Sequence, residues 1–204
     1  MVNSSIYKIR LKKGVSIEYI ASCMSVNVAK VKSWEINCMN LTVRQAKLLS
    51  RLLEVTLDSM IFGDDIDQID LSKLDEIKLI YIIKFVQNRI SFDDKKNIRL
   101  EQNAIQEKLQ NDFGNSVKYV RVKLMSMTQQ EFADILSVSR ETIKNWENKS
   151  ECTSLRNLIL LSQVTGLAID YFAYDNYPIK ISSYRLNDKK RKVILGFLEC
   201  YNCM

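Results

Sequence analysis

The chain has 204 residues, 47% of them hydrophobic, and carries a net charge of +6 with no histidine. That hydrophobic content excludes a largely disordered chain, and five glycines with one proline leave little β-turn chemistry, so an all-α fold with short connections is expected. No apolar run reaches the roughly 18 residues that a membrane span needs, and the opening MVNSSIYKIRLKKG lacks the apolar core of a secretory signal. A cytoplasmic protein with no membrane partner is expected.

The charge is uneven. Residues 1–62 hold nine Lys/Arg against four Asp/Glu, residues 63–113 hold eight against eleven, and residues 114–204 hold thirteen against nine. Two basic heads flank an acidic middle, a pattern that suits a polyanionic partner. The five cysteines (Cys23, Cys38, Cys152, Cys200 and Cys203) are odd in number and scattered, which does not make a disulfide framework. Cys200 and Cys203 form one CxxC, and without a second pair or any histidine the usual zinc ligand set is missing. The absence of histidine also removes the commonest general base. With no glycine-rich phosphate loop and no carboxylate constellation, neither an enzyme nor a cofactor or metal is expected.

In chain order, Tyr7, Ile9 and Leu11 open a short helix that carries Lys8, Arg10, Lys12 and Lys13 and stops at Gly14. Ser16 can cap a second helix with Tyr19, Ile20, Cys23 and Met24 along an apolar stripe. Ser25 and Val26 make a turn, and Asn27 caps a third helix whose Val31 and Trp34 face inward. Two short helices joined by such a turn make a helix-turn-helix, whose second helix can enter the DNA major groove. A longer helix begins near Thr42 and a short one covers Leu57 to Ile61.

The run SIEYIASCMSVNVAKVKSWE resembles the five-helix DNA-binding domain of the lambda-repressor-like, Cro/Xre family. Ser16, Ala21, Ser25-Val26 and Trp34-Glu35 stand where that family has its cap, its packed alanine, its turn and the end of its recognition helix. The resemblance implies a structural ion pair between Arg10 and Glu35. It also implies DNA contacts from Asn27, Lys30, Lys32 and Ser33. The family's glutamine at the start of the second helix is replaced here by Ile17, and the recognition helix opens Val28-Ala29-Lys30. Apolar side chains touch thymine methyls but make no bidentate contacts to base edges. This copy therefore either binds DNA mainly through charge or has become a protein-contacting domain.

The acidic stretch GDDIDQID reads as a loop, and a helix follows from about Ser72 with Leu74, Ile77, Tyr81, Ile82 and Phe85 on one face. Ile80, Ile83 and Val86 widen that stripe, which requires partners on two sides, either within the monomer or across a dimer. An amphipathic segment from Lys96 to Phe113 reads as a connector helix. Residues 1–92, 93–115 and 116–204 are thus expected to be a first domain with its trailing helix, a connector, and a second domain with its C-terminal helix.

The second domain repeats the first 112 positions later without a gap. AKVKSWEIN at Trp34 returns as ETIKNWENK at Trp146, and Ala21, Lys32, Arg44 and Asp58 return as Ala133, Lys144, Arg156 and Asp170. Each copy is long enough to bury its own core, so this is a duplicated domain rather than a solenoid unit. Thr128 and Glu131 form a TxxE capping box, Ser137-Val138 is the turn, and Ser139 caps the second recognition helix. Ile143 and Trp146 face inward at helical spacing, which leaves Arg140, Glu141, Thr142, Lys144 and Asn145 on the outer face. Arg140 can donate two bonds to a guanine edge, Asn145 can pair with adenine, and Glu141 can accept from cytosine. The resemblance places Gln129 on phosphate and gives Trp146 and Glu147 structural roles. It places Val122 where the family has its arginine, so that no copy of the Arg10–Glu35 pair is expected. The run Asp188-Lys-Lys-Arg-Lys192 in the last helix is either a patch for the DNA backbone or a solvated helix face.

The resemblance implies a sequence-specific regulator of double-stranded DNA, a repressor of bacterial, phage or mobile-element type. A homodimer is the expected assembly, and a protein effector or partner is compatible with the same reading. Two heads on one chain can also span two half-sites about one helical turn, roughly 34 Å, apart. The competing class is a protein-binding inhibitor or adaptor that uses the same scaffold.

Overall fold

The computed structural model describes residues 5–63, 65–87, 116–149 and 154–202. The connector expected between Lys96 and Phe113, and Cys152 and Cys203, lie outside the described residues. The first half contains α1 (Ser5–Lys12), α2 (Ile17–Cys23), α3 (Val28–Ile36), α4 (Val43–Leu52), α5 (Leu57–Phe62), strand β1 (Gln68–Asp70) and α6 (Glu76–Val86). The second half contains α7 (Ser116–Tyr119), which runs into a π-helical turn over Val120–Leu124, then α8 (Gln129–Leu136), α9 (Arg140–Lys149), α10 (Leu155–Thr165), α11 (Ile169–Ala173), β2 (Lys180–Ser182) and α12 (Asp188–Asn202). From α2 onward every element of the second half starts 112 residues after its counterpart.

The repeat extends to the signals that set those boundaries. Ser16 and Thr128 each accept the backbone N–H three residues on and so cap α2 and α8, and Asn27 and Ser139 do the same for α3 and α9. Thr42 and Ser154 cap α4 and α10, and Asp75 and Asn187 cap α6 and α12. Left-handed backbone recurs at matching sites: Gly14 and Ser126, Ser25 and Ser137, Glu54 and Gly166. At Gly166 a side chain is doubly excluded, because φ is +81° and an added Cβ would sit 2.5 Å from Cγ1 of Val86 in the other half.

The two halves share one core. The acidic stretch expected to be a loop supplies a strand: β1 pairs antiparallel with β2, Gln68 opposite Ser182, Ile69 opposite Ile181 and Asp70 opposite Lys180. Ile69 and Ile181 are repeat equivalents, and the repeat exchanges the other two pairs, Gln68–Ser182 and Asp70–Lys180, so the ribbon is centred on Ile69 and Ile181 and has a local two-fold axis through it. The same axis relates α5 and α11. Asp170 accepts the Leu57 N–H at 3.0 Å, and Asp58 accepts the Ile169 N–H at 3.1 Å. Each carboxylate thus serves the first turn of the other half's helix, where backbone donors are exposed and the helix dipole favours negative charge.

The helix expected from Ser72 begins instead at Glu76, because Asp75 takes the cap. Its wide apolar surface is buried inside the monomer. Leu79, Ile80, Ile82, Ile83 and Val86 are buried, α6 lies against the π-helical turn of the second half, and the Tyr81 and Phe197 rings are 6.3 Å apart. Lys190 donates to the Phe85 and Val86 carbonyls at the end of α6, and Arg191 pairs with Asp67 at 2.5 Å. Two of the four cations in the basic run of α12 are therefore ties within the fold, while Lys189 and Lys192 stay exposed.

Asp58 and Asp170 are almost wholly buried, and the Gln68 amide donates to both, at 2.6 and 2.9 Å. Tyr177 donates to the Gln68 carbonyl oxygen at 2.8 Å and fixes the orientation of the amide. Burial pushes both carboxyls up, Asp58 to about 7 with the neighbouring Asp170 charge adding to the effect. An unfolded aspartate titrates near 4. The folded pair therefore holds a proton that the unfolded chain releases between about pH 4 and 7, and this contribution to stability is lost as pH rises through that window. Urea midpoints at pH 5 and pH 8 should accordingly differ more in the wild type than in Asp58→Asn, which keeps an acceptor for Ile169 and cannot ionise.

Candidate nucleic-acid interface

Each half presents a short helix, a tight turn and a second helix. In the first, the turn is closed by Ser25 N–H to Ser22 O at 3.1 Å and Val26 N–H to Ala21 O at 3.0 Å. In the second, the matching bonds run from Ser137 to Asp134 at 3.1 Å and from Val138 to Ala133 at 3.0 Å. This is a helix stop with a left-handed residue, here serine where glycine is commoner. It sets the angle at which α3 and α9 leave the turn.

The inner faces of α3 and α9 anchor them. Val31, Trp34, Ile143 and Trp146 are all buried. Arg10 reaches from α1 to Glu35 with Nε at 2.5 Å from Oε1, and donates through Nη1 to the Val15 carbonyl. The second half has the same clamp, contrary to the expectation that Val122 leaves it without one. Arg121 is 2.5 Å from Glu147, and its Nη1 donates to the Met127 carbonyl at 2.7 Å. Arg121 stands 111 residues after Arg10, whereas Met127 stands 112 after Val15. The second half therefore has one extra residue between arginine and carbonyl. The π-helical turn absorbs it, and the closing bond from Met127 N–H reaches back six residues to Arg121, where Val15 reaches back five to Arg10. The sequence signal was an arginine one position early, followed by a loop one residue longer.

Gln129, expected on phosphate, donates to Glu147 Oε2 at 2.8 Å and extends the clamp to the start of α8. Ser139 accepts the Thr142 N–H at 3.1 Å, and the two hydroxyls are 2.8 Å apart, so both residues take part in starting α9. Arg140, Glu141, Lys144 and Asn145 are exposed on its outer face, together with Asn148, which sequence reasoning passed over. Lys144 lies 3.6 Å from Glu141 across the exposed surface, a pair that contributes little to stability and leaves both groups in water.

The outer face of α3 is different. Lys30 and Lys32 are exposed, Ser33 is half-buried and donates to the Lys30 carbonyl, and the Asn27 side chain caps the helix. Beside these lie Ala29 and, 74% and 47% exposed, Ile36 and Met39. Where α9 carries Arg140, Glu141, Asn145 and Asn148, α3 carries Val28, Ala29, Ser33 and Ile36.

Among the described residues no group of three metal-ligating side chains comes together, and no helix is long and apolar enough to cross a membrane. Cys23, Cys38 and Cys200 are free thiols.

The second half thus has the fold of a helix-turn-helix domain, with a polar outer face on its second helix. Residues 117–172, from α7 to α11, match the model of a helix-turn-helix family of Cro/Xre type. No curated protein and no solved structure matches the chain.

Removing one member of a buried ion pair leaves the other without its partner, at a cost of about 3–5 kcal/mol. Arg10→Ala and Arg121→Ala should each lower stability by about that amount, and by similar amounts, as read from urea unfolding. A much smaller loss in Arg121→Ala would mean that the clamp of the second half contributes little to stability.

Proposed function

We propose that the protein is a sequence-specific DNA-binding transcription regulator, a repressor by class, in which α9 reads bases in the major groove. The observation that carries this reading is the outer face of α9. A helix clamped by Arg121, Gln129 and Glu147 from behind presents Arg140, Glu141, Lys144 and Asn145 to solvent inside a helix-turn-helix family match. Arg140 has the donors for a guanine edge, Asn145 the donor and acceptor for adenine, and the basic side chains neutralise phosphate. Cytoplasmic placement and action without a catalytic step belong to the same reading, as does a tandem origin of the first half from the same family.

A second reading is favoured by one observation, the apolar outer face of α3. A helix-turn-helix with Ala29, Ile36 and Met39 outward is suited to gripping a protein, as an inhibitor or adaptor would, or as the docking point of an effector.

Fluorescence anisotropy on sites selected from random DNA, across a salt series, tests the first reading. A specific complex with a steep salt dependence is expected. Arg140→Ala should weaken the selected site by about 1–3 kcal/mol, roughly 5- to 150-fold, and relax preference at one base pair. Lys30→Ala should weaken all sequences alike and reduce the salt slope by about one. Binding that ignores sequence, together with a stoichiometric protein partner in a pulldown, would favour the second reading.

A further inference from the structure

In homodimeric helix-turn-helix proteins the two-fold axis of the dimer coincides with that of the operator, and each copy reads one half-site. Here a two-fold axis is already present within one chain. The reciprocal bonds from Leu57 to Asp170 and from Ile169 to Asp58, and the ribbon centred on Ile69 and Ile181, are isologous contacts of the kind that join two identical subunits. All six residues are buried, none of them more than 6% exposed. The surface through which a second copy would join in this way is used up by the chain's own other half. The axis that carries α9 onto α3 is thus fixed by the fold, while the two helices present unlike chemistry.

Resting on the DNA-binding reading, we propose that one chain occupies a complete two-part operator by itself, and that its two half-sites are chemically unequal. The α9 half-site is read by hydrogen bonds from Arg140 and Asn145. The α3 half-site is held by Lys30 and Lys32 on phosphate and by Ala29 and Ile36 against thymine methyl groups. Thymine methyls are the only apolar features on the major-groove edges, and they are the match for a reading face without bidentate donors or acceptors.

The experiment uses the full chain and the duplex recovered by random-site selection. Native mass spectrometry and sedimentation give the number of chains per duplex, and footprinting gives the extent. One chain protecting two half-sites of different sequence is expected, the α3 half richer in A·T pairs. Replacing thymine by uracil in that half removes only methyl groups, and should weaken wild-type binding about threefold or more. The same replacement should have little effect on Ile36→Ser, whose exposed position spares the core. In the α9 half, 7-deazaguanine in place of guanine should weaken the wild type and leave Arg140→Ala nearly unchanged. Two chains on a palindrome, one chain protecting a single half-site, or indifference to the uracil replacement would each overturn the proposal while leaving the DNA-binding reading standing. Failure to select any sequence would instead overturn that reading.

Discussion

Two helix N-termini meet near the centre of this molecule, and the fold depends on how their charge is answered. α5 and α11 approach each other across the local axis with backbone donors exposed and dipoles of the same sign facing. Asp58 and Asp170 satisfy this arrangement by crossing over, each accepting from the opposite helix. Two buried carboxylates in one place would repel, and the Gln68 amide that donates to both, with the proton that burial retains, brings the cluster close to balance. The β ribbon and the seating of α6 on the second half follow from this join, since both require the halves to be held in one orientation.

A second constraint acts at the outer ends. The second helices of the two helix-turn-helix units, α3 and α9, are short and gain little from intrinsic helix propensity, so their placement comes from tertiary anchoring. A tryptophan and a branched residue bind each to the core, and an arginine, from α1 in the first half and from the π-helical turn after α7 in the second, ties down the glutamate that follows the tryptophan. The clamp is kept in both halves although the chain between its parts differs in length by one residue. The geometry at the ends of α3 and α9 is preserved, and the spacing after the arginine gives way in the π-helical turn.

Most of the local structure was legible in the sequence because it is written in short-range signals. Caps at Ser16, Asn27, Thr128 and Ser139, the stop at Gly14 and the turns at Ser25 and Ser137 each act over a few residues, and the 112-residue repeat pairs the caps and the turns. What was not legible is long-range. Asp58 and Asp170 align in the repeat, but nothing in their neighbourhood says that each serves the other's helix. The strand at Gln68–Asp70 is hidden in an acidic stretch because its partner lies 112 residues away and only three residues pair. Arg121 was missed because a gapless alignment cannot represent a π-helical turn, which shifts register by one and then restores it. At the interface, the outer face of α9 was read from helical spacing alone, while the involvement of Gln129 in the clamp required three dimensions.

The join between the halves has a consequence for dilution. A reader assembled from two separate subunits comes apart as its concentration falls, and its occupancy of a site then declines more steeply than in proportion. Two heads held in one fold cannot separate without unfolding, and their effective concentration for each other is fixed by geometry rather than by expression level. If one chain fills a site as proposed, its occupancy follows a simple hyperbola down to a few copies per cell and responds gradually to dose, so that any sharpness in the response has to come from another source.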